Sequence, residues 1–166
     1  MLPSYTSLKL PVVVLAATLS LLSCRKDNPA PEAVPAPIVA GFGQEFKLHY
    51  QQRVELPGAA CPELTVQMTD LSWTYCPQDV QCIIASFAWP TLQFTDAQGQ
   101  VTQLKLPQNS SQAHALGLLD TASVVSGGRR YAVTYARWEL GRALRSQEMP
   151  RRSDFGLWLR VAPVRP

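Results

Sequence analysis

Histidine is scarce in this chain of 166 residues, which contains only His49 and His114. The sequence has no Gly-x-Ser-x-Gly elbow, no His-Glu-x-x-His motif and no phosphate-binding glycine loop, and none of its acidic residues is adjacent to another. These absences remove the usual signatures of hydrolases, zinc proteases and nucleotide-binding enzymes. We therefore expect no enzymatic activity, no catalytic residue and no cofactor. The alternative is a hydrolase with an unrecognised site that uses Ser111 or His114.

Charge is sparse as well, since charged residues make up 16% of the chain and the formal net charge is +3. So small an excess of positive charge does not favour binding to nucleic acid. The charge is unevenly distributed, however: residues 27–120 hold nine acidic and three basic side chains, whereas residues 121–166 hold three acidic side chains and nine arginines.

Four of these arginines fall in predicted loops and form two adjacent pairs, Arg129-Arg130 and Arg151-Arg152. Arginine suits bidentate recognition of phosphate or carboxylate groups, so these four are candidate contacts for an anion or a glycan. Three aromatic residues nearby in sequence would contribute to the same patch: Tyr135, Trp138 and Trp158. The alternative is that strands of opposite charge pair within the fold and cancel the asymmetry.

No apolar run is long enough to cross a bilayer as a helix, because residues 10–22 fall well short of the roughly 20 residues required. This run follows Lys9 and indicates the core of a signal peptide. It ends in Leu21-Leu22-Ser23-Cys24, which resembles the lipobox of bacterial lipoproteins. The resemblance implies cleavage before Cys24 and lipidation of that cysteine, with palmitate among its acyl chains. A plain secretory signal and a short membrane anchor are the alternatives.

The resemblance divides the chain into three parts. Residues 1–23 would be the signal peptide, residues 24–41 a lipidated, Pro/Ala-rich tether, and residues 42–166 one folded domain. Arg25 stands where some lipoproteins carry the aspartate that retains them at the inner membrane, so sorting rules imply the outer membrane. The sequence leaves open which side of that membrane the domain faces.

Short alternations of apolar and polar residues, separated by Gly, Pro, Asp and Asn, run through the predicted domain, and helical periodicity is nearly absent. This pattern predicts an all-β fold, which we expect to be a single antiparallel, immunoglobulin-like β-sandwich of about seven to eight strands. Val54 and Leu56 are expected to continue the strand of Phe46 and Leu48. Residues 140–149 are expected to form one or two helical turns.

Two segments of the sequence allow more specific predictions. Leu64, Val66 and Met68 alternate in one phase, whereas Leu71 and Trp73 alternate in the other. Since a slip of one residue exchanges the faces of a strand, all five can face the core only if a β-bulge lies near residues 69–70. Residues 82–89 are almost continuously apolar, which predicts a strand covered on both faces.

The lipid would occupy Cys24, which leaves three cysteines and one unpaired thiol. Loop entropy does not distinguish a Cys76–Cys82 bond from a Cys61–Cys76 bond, because the two closures differ by less than about 1 kcal/mol. An extended chain over residues 64–75 would hold Cys61 far from Cys76, whereas bonded cysteines have Cα atoms within about 7 Å. We therefore predict a Cys76–Cys82 disulfide and a free Cys61. A metal site is not expected, because the thiol spacing differs from zinc knuckles and the compartment is oxidising.

Residues 64–85, LTVQMTDLSWTYCPQDVQCIIA, resemble the central segment of small exported bacterial domains, many of them Bacteroidetes lipoproteins. Cys76, Pro77 and Cys82 match that family's Cys-Pro turn and its second cysteine, whereas Ile84 replaces its tryptophan. The resemblance implies the same disulfide but no activity, since none is established for the family. We expect a lipid-anchored cell-envelope protein with a non-enzymatic binding or structural domain and an anionic glycan or envelope protein as partner. An envelope hydrolase is the alternative.

Overall fold

Nine β-strands dominate the computed structural model, which describes residues 34–77, 79–108, 120–145 and 147–165. The strands are β1 (Ile38–Val39), β2 (Glu45–His49), β3 (Arg53–Leu56), β4 (Leu64–Thr74), β5 (Phe87–Asp96), β6 (Val101–Lys105), β7 (Asp120–Ser126), β8 (Arg129–Leu140) and β9 (Phe155–Pro163). Within the described ranges, helical structure is limited to one 3₁₀ turn at Arg152–Asp154. Residues of the types that separate the alternating segments lie between several strands, such as Gly99 between β5 and β6 and Gly127 between β7 and β8.

The strands form two sheets that pack face to face. The five-stranded sheet has the order β1-β3-β4-β5-β6, and the four-stranded sheet has the order β2-β9-β8-β7. All neighbouring strands are antiparallel except β1 and β3, which are parallel. The predicted all-β sandwich is confirmed. Most strands that pair within the two sheets are consecutive in the chain. In immunoglobulin domains, by contrast, Greek-key connections place strands that are distant in sequence next to each other.

The core lies between the inward faces of the two sheets. In β5 the inward side chains include Leu92 and Phe94, which are fully buried, while Gln93 between them faces outward. In β8 and β9 the side chains that face the core also occupy every second position. They are Tyr131, Val133, Tyr135, Phe155, Leu157, Leu159 and Val161. This period of two is the pattern by which the sequence predicted these strands.

The bulge predicted in β4 is confirmed. The register between β4 and β5 shifts between Met68 and Asp70, and Leu71 is buried on the same side as Met68. Trp73 packs against the core but stays half-buried, with its ring 5.9 Å from that of Phe155. The extra residue therefore re-aims the second half of the strand without removing its apolar side chains from the core.

The first predicted strand is two strands in the structure, so the expectation that Val54 and Leu56 continue it was wrong. The chain leaves the four-stranded sheet after His49, turns, and enters the five-stranded sheet at Arg53. Gln52 supports this turn, because its Oε1 accepts from the backbone N–H of His49 at 3.0 Å and its Nε2 donates to a carbonyl of the tether segment. The turn contains no Gly or Pro, and both strands have the same alternation phase.

The expectation of a buried strand over residues 82–89 was also wrong in its first half. β5 begins at Phe87, and Ile83 and Ile84 are 104% and 59% exposed. The disulfide between Cys76 and Cys82 is confirmed, with Cα atoms 5.9 Å apart, so a covalent bond rather than core packing closes this loop. Apolar composition alone does not distinguish the two arrangements.

The described part of residues 140–149 forms no helix, contrary to expectation. Ion pairs hold this loop instead: the Arg142 side chain contacts Glu148 at 2.7 Å and Asp154 at 2.9 Å. Earlier in the sequence, residues assigned to the tether join the fold, because Ile38–Val39 pairs with β3 and Ala40 is buried. The folded domain therefore begins before residue 42.

Candidate functional site

The sandwich has two ends, and the four predicted arginines are divided between them. The hairpin end comprises the turns at residues 97–100 and 127–128, together with Glu63 and residues 163–165. The loop end comprises the turn at residues 50–52 and the described parts of the loops at 75–86 and 141–154. Tyr131 pairs with Pro163 at the hairpin end and Leu140 with Phe155 at the loop end, which separates the two ends by about 30 Å along β8. One patch of four arginines therefore does not form.

At the loop end, Arg152 is engaged by the domain itself. Its Nη1 lies 3.0 Å from Oδ1 of Asp70 and 3.2 Å from the hydroxyl oxygen of Tyr50. The guanidinium also lies 5.3 Å from the ring centre of Tyr50 and 5.4 Å from that of Trp73. Through these contacts Arg152 links the bulge of β4 to the β8–β9 loop, so its role is structural. Its neighbour Arg151 is exposed.

At the hairpin end, Arg129 belongs to a polar cluster with Glu63 and Tyr131. Both Arg129 Nη1 and the Tyr131 hydroxyl donate to Oε1 of Glu63, each at 2.7 Å. The hydrogen bond from Tyr131, together with Arg129, lowers the pKa of Glu63 despite its partial burial. Burial, reinforced by the carboxylate, raises the pKa of Tyr131 to about 12. The cluster therefore holds a fixed carboxylate and a neutral phenol at physiological pH.

Beside this cluster is a cavity of about 250 Å³ formed where three turns meet. Its polar lining consists of Glu63, Asp96, Gln98, Ser126, Arg129 and Tyr131. Asp96 shapes its own turn, because its Oδ1 accepts from the backbone N–H groups of Gln98 at 2.9 Å and Gln100 at 2.8 Å. This is the turn chemistry that the Asp-Ala-Gln-Gly sequence predicts.

Two residues that line this cavity, Asp96 and Ser126, each have a buried side-chain oxygen with no hydrogen-bond partner among the described residues, Oδ2 and Oγ respectively. Asp96 is 8% exposed and Ser126 is 4% exposed. Gly127 allows the two turns to approach, since its φ is 57° and a Cβ there would lie 3.4 Å from Oδ2. Because an unpaired buried polar atom is costly, such atoms in a cavity mark a place where a ligand or water donates.

A second concavity adjoins the first and shares Arg129. It has a volume of about 670 Å³ and is lined by residues 128–130 and 163–165, including the arginines Arg130 and Arg165. Neither Arg130 nor Arg165 forms an ion pair within the described residues. The two concavities together are named the hairpin-end site. It combines unpaired buried acceptors with free guanidinium groups.

The aromatic residues expected near the arginines lie elsewhere. Tyr135 is fully buried and its hydroxyl donates to the carbonyl of Ala88. Trp138 packs on Phe155 with ring centres 5.6 Å apart, and Trp158 lies beneath the guanidinium of Arg137 at 4.3 Å. The hairpin-end site is therefore polar rather than aromatic. Sequence reasoning missed Glu63, Asp96, Ser126 and Arg165, because nothing in their local sequence shows that three turns meet.

The remaining sequence candidates have separate outcomes. His49 lies on an outward face, where its Nδ1 is 3.1 Å from the carbonyl oxygen of Phe155 and burial lowers the pKa of its imidazole. Cys61 is a free, exposed thiol, as predicted. Cys24, Ser111 and His114 lie outside the described residues. No set of three metal-ligating side chains comes together in the part of the chain that the structure describes.

Among the described residues, no helix has the length and apolar character needed to cross a membrane. No family model, curated protein or solved structure significantly matches this chain, so its resemblance to exported bacterial lipoprotein domains stays a prediction.

Proposed function

We propose that this chain is a lipid-anchored cell-envelope protein whose β-sandwich is a non-enzymatic binding module. Its ligand would be an acidic envelope oligosaccharide bound at the hairpin-end site. The proposal rests on Asp96 Oδ2 and Ser126 Oγ, two buried oxygens without a hydrogen-bond partner among the described residues, which belong to residues that line the cavity beside Arg129. The lipid anchor rests on the lipobox-like sequence that ends at Cys24, and the absence of the inner-membrane retention residue favours the outer membrane.

A sugar hydroxyl is the chemical group that suits these atoms. It can donate to the carboxylate oxygen of Asp96 and can both donate to and accept from the hydroxyl of Ser126. A site built to hydrogen-bond a hydroxyl discriminates strongly against ligands that lack it, because its buried polar atoms are then left unpaired. The Asp96 carboxylate is fixed by its two backbone hydrogen bonds, so the acceptor is preorganised before the ligand arrives.

The adjoining concavity suits an acidic substituent on the same ligand. Arg130 and Arg165 present guanidinium groups that have no carboxylate partner among the described residues. Arg129 differs from Arg130 and Arg165, because it pairs with Glu63, whose carboxylate also accepts a hydrogen bond from Tyr131. A carboxylate or phosphate next to a hydroxyl-rich ring would therefore bridge the two concavities, with the free arginines providing bidentate hydrogen bonds.

The binding experiment uses the lipidated protein in detergent micelles and isothermal titration calorimetry with acidic oligosaccharides released from peptidoglycan and lipopolysaccharide. Ser126→Ala should lower the affinity roughly tenfold, since the hydrogen bond lost is worth about 1.4 kcal/mol. The same change should leave stability unchanged or raise it, because it removes an unpaired buried hydroxyl. Ser123→Ala, on the exposed face of the same strand, is the matched control and should change neither property.

Arg130→Gln should weaken binding and reduce its dependence on salt, because this arginine is assigned to the acidic group. Equal affinities for the wild type and the Ser126→Ala variant would place the ligand elsewhere on the domain. Absence of binding to every acidic oligosaccharide would contradict the proposed glycan ligand itself.

A further inference from the structure

The path of the chain before β1 shows which end of the sandwich faces its anchor. Ile38 and Val39 run parallel to Val54 and Glu55, so the residues before Ile38 extend towards the turn at 50–52. The carbonyl of Ala36 accepts a hydrogen bond of 2.8 Å from Gln52 Nε2 in that turn. The chain therefore enters the domain at the loop end, about 30 Å along β8 from the hairpin-end site.

The loop end also presents exposed large apolar side chains. Ile83 and Ile84 directly follow the segment that the Cys76–Cys82 disulfide closes and are exposed, and Val80 within that segment is exposed too. The loop is held in place, because the backbone N–H of Cys76 donates to the Ser86 hydroxyl at 2.8 Å and the Cys76–Cys82 disulfide closes it. Single exposed apolar residues are ordinary, but two adjacent isoleucines on a braced loop form an apolar tip.

The β8–β9 loop lies beside Val80 of the loop that carries this tip, and it adds basic residues to the same end of the sandwich. The two loops line a common cleft of about 460 Å³ that includes Val80 and Arg145. Arg145 and Arg151 form no ion pair within the described residues, whereas Arg142 is neutralised by its acidic neighbours. Asp79 is the acidic residue on this surface that forms no ion pair within those residues. An apolar tip and arginines at the same end of the sandwich match the chemistry of an anionic lipid surface.

We propose that the loop end of the sandwich docks onto the membrane that carries the anchor, with Ile83 and Ile84 inserted among the lipid headgroups. This inference rests on the proposed lipidation of Cys24. Nine residues separate Cys24 from Val34, and a chain of that length reaches at most about 30 Å, which keeps this end within reach of the bilayer. The hairpin-end site then points away from the membrane, towards envelope ligands.

The test uses lipidated protein reconstituted in vesicles of phosphatidylethanolamine and phosphatidylglycerol. An environment-sensitive fluorophore is attached at Ile83→Cys in a Cys61→Ser background, and at Val125→Cys as the control. Val125 is an exposed apolar residue of β7 close to the hairpin end. Brominated lipids should quench the probe at position 83 and leave the probe at position 125 unchanged. Equal quenching at the two positions would overturn the proposal.

A second measurement separates membrane docking from lipidation. The chain from residue 24 onward, carrying Cys24→Ser, lacks the lipid and should still partition onto the same vesicles. Ile83→Ser combined with Ile84→Ser should weaken this partitioning roughly tenfold, because two apolar side chains leave the interface. Partitioning that does not respond to the double substitution would contradict docking even if Cys24 is lipidated. A position-83 probe that is shielded in cells but not by vesicles would assign the tip to a protein partner and overturn the lipid assignment.

Discussion

Replacing Leu71 by alanine tests the β-bulge that shapes the second half of β4. Leu71 is 1% exposed and lies one residue beyond the register shift between Met68 and Asp70. Truncating a fully buried leucine removes its transfer free energy and leaves a cavity, which together cost about 3 kcal/mol. With a urea m-value of about 2 kcal/mol per molar, the unfolding midpoint should fall by roughly 1.5 M.

Ser72→Ala is the matched control, because Ser72 is the next residue and is exposed on the outer face. Its effect should stay within about 0.5 kcal/mol. Equilibrium urea unfolding followed by tryptophan fluorescence measures both variants. A strand without the bulge would exchange the two faces, so a neutral Leu71→Ala together with a costly Ser72→Ala would refute the assignment.

Three further predictions concern the anchor, the thiols and the response to alkaline pH. Cys24→Ala should abolish incorporation of labelled palmitate, and label that persists on the variant would contradict lipidation. The folded protein should react with one equivalent of alkylating reagent at Cys61 and release a Cys76–Cys82 cross-linked peptide on mapping; a cross-link that includes Cys61 would contradict the structure. Because the folded state raises the pKa of Tyr131 to about 12 from its ordinary value of 10, its contribution to stability is present below pH 10 and should be lost as the pH rises towards 12. Urea unfolding of the Tyr131→Phe variant across this pH range should show a smaller loss of stability than the wild type shows. An equal loss in both proteins would contradict the assignment of the raised pKa to Tyr131.

The strands were predictable where alternation coincides with burial. Leu92 and Phe94 face the core with polar residues between them, and the phase slip before Leu71 correctly indicated a bulge. The pattern failed at Ile83 and Ile84, because hydrophobicity cannot distinguish a core strand from an apolar loop that a disulfide holds in solvent.

The candidate site was less predictable, because it depends on contacts between distant turns. The sequence indicated a turn at Asp96 but not that Gly127 brings a second turn against its Oδ2. Adjacent arginines also suggested one patch, whereas the length of β8 separates Arg129 from Arg152 and the latter is bound by Asp70. A count of charges along the sequence does not show how far apart a strand holds two arginines, or which acidic residue each of them pairs with.

Chemical-shift mapping on the ¹⁵N-labelled protein during titration with acidic envelope oligosaccharides would locate the bound ligand on the domain. The largest shifts should fall on the backbone amides of residues 96–100 and 126–130, which belong to the hairpin-end site. Amides of Asp70 and Arg152 at the loop end should stay unchanged and serve as internal controls. Shifts that concentrate at the loop end, or a spectrum that no oligosaccharide perturbs, would contradict a glycan-binding module at the hairpin end.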